Sequence, residues 1–388
     1  FLERGPAHRR PEESTGSGFV ISPDGFIVTN DHVIEDATRI EVHFTDGSVR
    51  PGSVVGRDPK TDIALVKVDA PEPLAVAPLG DSDQIRVGDW VLAIGTPFGL
   101  EHTVTVGVLS AKGRHHVTPD SRYDDFLQTD ASINPGNSGG PLFDASGRVI
   151  GINTAIRAEA EGIGFSIPIN LAKELLPQLR ASGHVTRGWL GVQIQEVRPA
   201  FAQSFHLDQA RGALVAQVFD ESPAQRAGIE PGDVIVEFGG HPIASYHDLP
   251  RRVAATRPDA EVPLVIVRDG KRRALTAHLD RMREDAIKVA SQRPESSNRE
   301  SEHALRDWGF EVGPREEGSA EQGALVTQVE PGSPAARAGL RSGDVVVEIE
   351  RSPVESPEAL RAQLEGGGES LVLRIQRNGS AHYIDLNR

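Results

Sequence analysis

The alternation of apolar and polar positions predicts a chain built mainly from β-strands. In the first half, apolar runs bounded by turn residues predict strands within residues 18–28, 63–66 and 141–153. Leucines at helical spacing across residues 170–182 predict one longer helix, and Gly183 predicts its end. The first half is therefore expected to be a strand-rich domain that a helix closes.

The second half of the chain contains an internal repeat. Residues 222–235 recur at an offset of 111 residues, as residues 333–346. Each copy predicts a short helix with a serine N-cap, a proline in the first turn and a glycine at the end, followed by a Gly-Asp turn into a strand. A second helix is expected in each copy, at residues 246–255 and 357–364. Repetition at a fixed offset indicates one structural unit used twice.

Residues 136–142 read Gly-Asn-Ser-Gly-Gly-Pro-Leu and place a serine among glycines. A serine hydroxyl needs an adjacent base to act as a nucleophile, and the charge that forms on an attacked carbonyl needs hydrogen-bond donors. Gly136 and Gly139 can adopt positive φ, which turns backbone N–H groups towards the hydroxyl. We therefore expect Ser138 to be the nucleophile and Gly136, Asn137 and Ser138 to form an oxyanion hole, with the N–H groups of Gly136 and Ser138 as its donors.

A base and a carboxylate suited to this serine lie upstream. His32 follows the strands of residues 18–28, and Asp62 stands immediately before the apolar run that begins at residue 63. The order His, Asp, Ser is that of chymotrypsin-like enzymes, in which the imidazole takes the serine proton and the carboxylate sets the tautomer of the imidazole. Asp130 is an alternative third member, although its place eight residues before Ser138 favours a role in the strand that carries the serine.

The same serine also matches the Gly-x-Ser-x-Gly elbow of α/β-hydrolases. That motif requires a helix directly after the serine, whereas residues 141–153 predict two strands and a turn. The pattern therefore favours a β-rich acyl-transfer enzyme.

Composition excludes several other classes of protein. The chain has 388 residues, enough for two or three domains, and no cysteine, which excludes disulfides and thiolate chemistry. Its formal net charge of −15 opposes binding to nucleic acids and to anionic membranes. No apolar run reaches the ~18 residues of a membrane span, and no ligand spacing indicates a metal site. We therefore expect no cofactor, no metal, no nucleic-acid partner and no membrane segment in this chain.

The triad motifs, together with Gly-Thr-Pro-Phe-Gly at residues 95–99 and Gly-Ile-Gly-Phe-Ser-Ile-Pro at residues 162–168, resemble the HtrA (Deg) family of serine proteases. The resemblance implies a mainly β fold, in which a chymotrypsin-like double antiparallel β-barrel precedes two α+β PDZ domains. The expected boundaries are a protease domain at 1–183, a first PDZ domain at 184–281, a linker at 282–303 and a second PDZ domain at 304–388. Because the linker is polar and charged, we expect the second PDZ domain to move independently.

The resemblance also implies further site residues. It places a pocket for small aliphatic substrate side chains at Ile133, Ile163 and Phe165. It makes Arg114, within residues 112–125, a regulatory residue that links peptide binding to the oxyanion hole.

Peptide recognition is expected in the PDZ domains, where a free strand edge can capture a peptide and its C-terminal carboxylate. In the first copy the loop residues are Trp189, Leu190, Gly191 and Val192. In the second copy the corresponding loop reads Trp-Gly-Phe-Glu from residue 308. The sequence leaves open whether that copy binds peptide or neighbouring subunits.

The implied function is an ATP-independent serine endopeptidase that degrades unfolded or misfolded polypeptides in the periplasm and also acts as a chaperone. The resemblance implies homotrimers that enlarge into cages. The chain begins at Phe1, so we expect either a processed N-terminus or a trimmed chain, with any signal peptide outside this sequence. Two alternatives stay open, namely a non-proteolytic chaperone or peptide-binding scaffold, and an esterase of unrelated fold.

Overall fold

The structure is a computed structural model, and it describes residues 15–96, 103–115, 117, 125–156, 162–282, 303–305, 307–313, 323–366 and 368–388. The chain divides into two compact units, Phe1–Val185 and Thr186–Arg388. Antiparallel β-strands dominate both units, which confirms the mainly β prediction. None of the helices in the described ranges combines the length and the apolar character that crossing a bilayer requires.

The first half of the first unit is a five-stranded antiparallel sheet with the spatial order β1-β2-β5-β4-β3. Its strands are β1 (Phe19–Val20), β2 (Phe26–Thr29), β3 (Ile40–His43), β4 (Val49–Asp58) and β5 (Ile63–Val68). The turn between β1 and β2 ends at Gly25, where φ is +98° and a Cβ would lie 2.4 Å from the carbonyl oxygen of Val68. Only glycine fits this close approach. A one-turn helix, α1 (Asp31–Ile34), follows β2.

The second half of the first unit is a closed antiparallel barrel in the order β10-β11-β8-β7-β6-β9. Its strands are β6 (Trp90–Gly95), β7 (Thr103–Arg114), β8 (Phe126–Thr129), β9 (Pro141–Asp144), β10 (Val149–Ile156) and β11 (Gly164–Pro168). Of the two halves expected to be barrels, this one closes by hydrogen bonding, whereas the described strands of the other form an open sheet.

Helix α2 (Ile169–Ser182) closes the first unit, as predicted, and Gly183 ends it with a φ of +77°. Its buried face carries Leu175 and Leu179, whereas Leu171 is only half-buried. This face shares one apolar core with residues of the five-stranded sheet, including Phe26, and of the barrel, including Phe126. The two halves are therefore held together by one core, and the loops at their junction are fixed relative to each other.

The second unit contains the two sequence repeats. The first repeat is a sheet of order β13-β14-β15-β17-β18, with β16 beside β15 and a separate ribbon of β12 with β19. Its elements are β12 (Gly188–Trp189), β13 (Val192–Glu196), α3 (Pro199–Ser204), β14 (Ala213–Val218), α4 (Pro223–Arg226), β15 (Val234–Phe238), β16 (His241–Pro242), α5 (Asp248–Ala255), β17 (Glu261–Arg268), β18 (Lys271–His278) and β19 (Asp280–Arg281). Strand β13 lies at the sheet edge and has β14 as its partner.

The second repeat follows the same plan, with the sheet order β20-β21-β22-β23-β25-β26. Its elements are β20 (His303–Leu305), β21 (Phe310–Gly313), β22 (Ala324–Val329), α6 (Pro334–Arg337), β23 (Val345–Ile349), β24 (Ser352–Pro353), α7 (Pro357–Glu365), β25 (Ser370–Arg377) and β26 (Ser380–Asn387). The predicted serine caps are present in both repeats, since Ser222 accepts from the N–H of Gln225 and Ser333 from that of Ala336, each at 3.1 Å.

The aspartate of the Gly-Asp turn in each repeat forms a buried ion pair with an arginine. Asp233 is fully buried and receives two hydrogen bonds from Arg268, at 2.6 and 2.7 Å. Asp344 receives the same pair of bonds from Arg377, both at 2.6 Å. A buried carboxylate needs such a partner, so the repeated aspartate is a structural anchor as well as a turn residue.

The two repeats are packed against each other, which corrects the expectation that the second moves independently. The side-chain amide of Gln195 donates to the carbonyl of Tyr383 at 3.0 Å and accepts from its N–H at 2.8 Å. The ring of Phe205 meets that of Tyr383 edge-on, with centroids 5.2 Å apart, inside an apolar cluster that residues of both repeats form. Linker composition does not reveal such surface complementarity, which depends on side chains from distant strands.

Candidate active site

His32 and Asp62 meet at the junction of the two halves of the first unit. His32 lies on α1 and Asp62 in the turn between β4 and β5. The ring nitrogen Nδ1 of His32 lies 2.9 and 2.8 Å from the two carboxylate oxygens of Asp62. The backbone N–H of His32 also donates to Asp62 at 3.0 Å. The structure therefore brings together the imidazole and the carboxylate that the sequence predicted as partners.

The contact with Asp62 decides the tautomer of His32. A carboxylate only accepts hydrogen bonds, so Nδ1 carries a proton and Nε2 of the neutral ring is free to accept one. The hydrogen bond to Asp62 raises the pKa of His32, burial opposes the rise, and the charges of Asp62, Asp31 and Glu35 add to it. The imidazole is thus a stronger base than that of an isolated histidine, because the neighbouring carboxylates stabilise its protonated form.

Besides His32, groups from two further positions, Asn30 and Thr154, hold Asp62. Its φ of +57° lies in the left-handed region, which aspartate tolerates better than most residues. Asn30 donates to the backbone carbonyl of Asp62 at 2.8 Å, and the hydroxyl of Thr154 donates to its carboxylate at 2.5 Å. These bonds leave the carboxylate little freedom to turn away from the imidazole.

Ser138 is half-buried, and its hydroxyl donates to the carbonyl oxygen of Thr154 at 3.2 Å. Thr154 therefore contacts two of the three predicted triad members, Asp62 through its hydroxyl and Ser138 through its carbonyl. The serine side chain or its hydroxyl proton must rotate before the proton passes to His32. Among the described residues no hydrogen bond joins the Ser138 hydroxyl to His32; catalytic hydrogen bonds often tighten only when substrate is bound. Thr154 was not predicted from the sequence, because no local motif marks a threonine in a predicted strand.

The loop before Ser138 presents two of the three groups expected in the oxyanion hole. Gly136 has a φ of +106°, and within the described residues neither its N–H nor that of Ser138 donates a hydrogen bond. The N–H of Asn137 instead donates to the carbonyl of Asn134 at 2.9 Å. Its side chain is buried and donates to Ser132 at 3.3 Å. Asn137 thus shapes the turn, and the two free N–H groups are those of Gly136 and Ser138.

Asp130, the alternative triad carboxylate, has another partner. Its Oδ1 accepts from the N–H of Val108 at 2.6 Å and ties β7 to the segment after β8. The close approach explains Gly107, where a Cβ would lie 2.3 Å from the same oxygen. Asp62, and not Asp130, contacts the imidazole of His32.

The three predicted pocket residues lie in two different clusters. Ile133 is buried in the barrel core, and a Cβ at Gly164 would lie 2.6 Å from its Cγ1. Phe165 follows Gly164 in β11, so its side chain lies on the face of the strand opposite to Gly164 and Ile133, because successive residues of a strand point to opposite faces. It packs with Phe126 in the core shared by the two halves, where the half-buried Ile163 also packs. The three residues therefore do not form one cluster in the structure, and the pocket assignment stays a prediction.

Arg114 lies at the end of β7 and donates to the side chain of Gln128 in β8 at 2.7 Å. Residues 116 and 118–124 of the loop expected to be regulatory lie outside the described part of the chain. The contact joins this loop to the strand that precedes the Ser138 loop.

The first repeat carries a loop suited to a peptide carboxylate. Gly191 has a φ of +80°, and a Cβ there would lie 2.2 Å from that of Ser222, so only glycine fits. The carbonyls of Leu190 and Gly191 accept from Ala224 at 2.8 Å and Phe219 at 3.0 Å. In the described residues the N–H groups of Leu190 and Gly191 donate no hydrogen bond. They stand at the start of the edge strand β13, where β-augmentation places a C-terminal carboxylate.

The other predicted residues of this loop flank the same edge. Trp189 pairs with Asp280 in the β12–β19 ribbon. The centroid of its ring lies 6.3 Å from that of the Phe219 ring. Val192 begins β13 and packs against the apolar core of the repeat, to which α5 contributes Leu249 and Val253. Val192 of the edge strand and the two α5 residues therefore belong to one apolar core.

The second repeat differs at the equivalent edge. Trp308 accepts from Ala335 at 3.0 Å as Leu190 accepts from Ala224, so Trp308 is the structural counterpart of Leu190 rather than of Trp189. Strand β21, the counterpart of β13, already pairs with β20 in an antiparallel ladder. The chain itself therefore occupies the edge that a peptide would use.

Comparison with known proteins identifies the family. Residues 16–152 match a family described as trypsin-like peptidase domain, and residues 188–279 and 325–377 match PDZ domain families. A protein of Ectopseudomonas mendocina (strain ymp), named probable periplasmic serine endoprotease DegP-like, is 41% identical over 99% of this chain and 82% of its own length. A Brucella suis protein of the same name is 42% identical over 98% of this chain and 74% of its own length. The chain belongs to the HtrA family of serine endoproteases.

Solved structures agree with this HtrA assignment. The HtrA-type protease AlgW with a tripeptide superposes with a TM-score of 0.64 at 43% identity, over 70% of this chain and 90% of that chain. The serine endoprotease from Yersinia pestis gives a TM-score of 0.55 at 36% identity, over 71% of this chain and 92% of that chain. This HtrA-family chain is a serine endopeptidase with two PDZ domains.

Proposed function

We propose that this protein is an ATP-independent endopeptidase that degrades unfolded or misfolded proteins in the periplasm, with His32, Asp62 and Ser138 as its catalytic residues. The observation that carries the proposal is the carboxylate of Asp62 on Nδ1 of His32, joined through Thr154 to the hydroxyl of Ser138. The curated relatives named as periplasmic endoproteases support the compartment.

The proposed chemistry is acyl transfer to water. Oγ of Ser138 bonds to the carbonyl carbon of the substrate while its proton passes to Nε2 of His32. The carbonyl oxygen becomes an oxyanion that the N–H groups of Gly136 and Ser138 stabilise. Collapse expels the amine, which takes the proton from His32, and water then releases the acyl group by the reverse sequence. Asp62 stays ionised and stabilises the imidazolium.

We assign peptide C-terminus binding to the first PDZ domain. Two observations on the described part of the chain support this assignment, namely that the N–H groups of Leu190 and Gly191 donate no hydrogen bond there and that β13 has no strand on its outer edge. The occupied edge of β21 argues against the same mode in the second domain. Assembly into homotrimers and larger oligomers, and regulation through Arg114, belong to the same proposal by resemblance to the family.

The proteolytic proposal is tested with reduced casein. Ser138→Ala is expected to lose cleavage by about 10⁶-fold in kcat, which is ~8 kcal/mol of barrier. Ser53→Ala, which removes an exposed hydroxyl on β4 that donates to Lys67 at 3.3 Å, is the matched control and should cleave as wild type does. Equal cleavage by the Ser138→Ala variant would refute the proposal. Suppression of casein aggregation by that variant would establish chaperone activity without proteolysis.

The peptide-binding proposal is tested by calorimetry with a decapeptide that ends in valine and a free carboxylate. Wild type should bind one peptide per chain, and Gly191→Ala should bind none, because the new Cβ would lie 2.2 Å from Ser222. Gly240→Ala is the control, since Gly240 has a similar φ of +75° with open space around it. Unchanged binding by Gly191→Ala would show that peptides bind elsewhere.

A further inference from the structure

Ser17 lies just before β1 and reaches from the five-stranded sheet to the nucleophile loop of the barrel. It is half-buried and stands between Gly16 and Gly18. In sequence it is separated from the loop by more than a hundred residues, and no motif of the triad includes it. Its contacts nevertheless converge on the residues of the oxyanion hole.

Both the backbone and the side chain of Ser17 bind this loop. Its N–H donates to the carbonyl of Ser138 at 2.8 Å. Its hydroxyl donates to the carbonyl of Gly136 at 2.6 Å and accepts from the N–H of Thr96 at 3.1 Å. Because a carbonyl oxygen can only accept, the direction of the hydroxyl proton is determined. Ser17 thus holds the carbonyls of Gly136 and Ser138, the two residues whose N–H groups are the proposed donors to the oxyanion.

The loop needs such an external restraint. Gly136 has a φ of +106°, and glycine has more accessible conformations than any other residue. The hydrogen bond from Ser17 to the Gly136 carbonyl limits rotation of the peptide unit between Gly136 and Asn137. The same unit is held at its other end by the hydrogen bond from the N–H of Asn137 to the carbonyl of Asn134. The carbonyl of Ser17 is itself held by the hydroxyl of Thr29 at 2.7 Å. The restraint therefore passes from β2 through Ser17 to the loop.

We infer that Ser17 is a positioning residue for the oxyanion hole, whose hydroxyl keeps Gly136 in the conformation that aims its N–H at the developing charge. The inference rests on the proposed function of Ser138. It assigns to Ser17 no contact with the substrate, so its effect should be confined to the step in which negative charge forms on the carbonyl oxygen.

The test is Ser17→Ala, assayed with a peptide amide whose acylation limits turnover. We expect kcat to fall about tenfold with KM within twofold, because the lost interaction acts in the transition state. The loss should be smaller than the 10²–10³-fold cost of removing a donor itself, since the N–H of Thr96 also lies 3.4 Å from the Gly136 carbonyl. Ser17→Thr keeps the hydroxyl and should restore most of the rate. Ser53→Ala should not change it.

A second readout separates positioning from general damage to the fold. A peptidyl trifluoromethyl ketone adds Oγ of Ser138 to its carbonyl carbon, the serine proton passes to His32, and the ketone oxygen becomes an oxyanion in the hole. Its inhibition constant should rise about tenfold in Ser17→Ala, whereas that of a cleaved product peptide should stay unchanged. Ser17→Cys, with a much weaker donor of similar shape, should behave like the alanine variant.

The outcomes distinguish this inference from the proposed function. Unchanged kcat in both Ser17→Ala and Ser17→Cys would overturn it while leaving Ser138 as the nucleophile. A parallel loss of affinity for the ketone and the product peptide would also overturn it, because that pattern indicates distortion of the whole cleft. If wild type and Ser138→Ala cleave equally, the proposed function itself fails.

Discussion

Replacing Asp62 by asparagine tests how the carboxylate acts on His32. The carboxylate now accepts from Nδ1 of His32 at 2.8 Å and from the hydroxyl of Thr154 at 2.5 Å. The variant keeps a similar shape, but its amide group can donate to Nδ1. The imidazole would then carry its proton on Nε2 and could not accept the proton of Ser138.

We expect kcat to fall about 10⁴-fold, which is the loss that the wrong tautomer causes in Ser-His-Asp triads and corresponds to ~5.4 kcal/mol of barrier. The pH dependence gives a second, independent sign. Asp62 raises the pKa of His32 by its hydrogen bond and its charge, and activity requires the neutral imidazole. Activity of the wild type is therefore lost as the pH falls through the raised pKa, and the variant should lose its residual activity at a lower pH.

The assay is the pH profile of kcat/KM for a peptide amide, measured for wild type, Asp62→Asn and Asp130→Asn. Asp130 is the matched control, because its carboxylate accepts from Val108 and an asparagine oxygen can accept the same bond. The control should stay within a few-fold of wild type. A loss below tenfold in Asp62→Asn, or an acidic limb that moves to higher pH, would refute the reasoning.

Two further predictions concern the rest of the chain. Arg268→Ala removes the charged partner of the buried Asp233 and should lower the local opening free energy by about 3 kcal/mol. The amides of β15 should then exchange hydrogen more than about 100-fold faster in the full chain. Arg272→Ala removes an exposed pair 3.8 Å apart and should have little effect, and equal protection in the two variants would contradict the prediction. Arg114→Ala removes the 2.7 Å hydrogen bond to Gln128. It should abolish the activation of cleavage by a peptide bound to the first PDZ domain and leave basal cleavage unchanged. Activation equal to that of wild type would refute the regulatory role.

Features that depend on near neighbours were predictable from the sequence. The serine caps at Ser222, Ser333 and Ser356 each accept a backbone N–H three residues later. The end of α2 at Gly183 and the turn before Gly25 are likewise local. Such features are set by side-chain chemistry and by the conformations open to glycine within a few residues. The order of His32, Asp62 and Ser138 was also readable, because each lies in a recognisable local context.

Features that depend on strand register were not predictable. The pocket residues were assigned from loop positions, but the alternation of faces in β11 sends Phe165 into the shared core and away from Ile133. Likewise, only the backbone hydrogen bonds show that Trp308 takes the place of Leu190. A shift of one residue moves a side chain to the other face of a sheet, and the sequence alone does not specify that shift.

By itself, the sequence determined the chemistry available to this protein, namely an imidazole, a carboxylate and a hydroxyl in a known order, and a unit used twice. The tertiary structure alone decided which distant groups serve them. Thr154 lies 92 residues from Asp62, Ser17 lies 119 residues from Gly136, and β20 covers the edge of β21. These contacts arise because packing of the sheets, the barrel and the repeats brings remote backbone groups within hydrogen-bond distance, and nothing in the local pattern of residues encodes those distances.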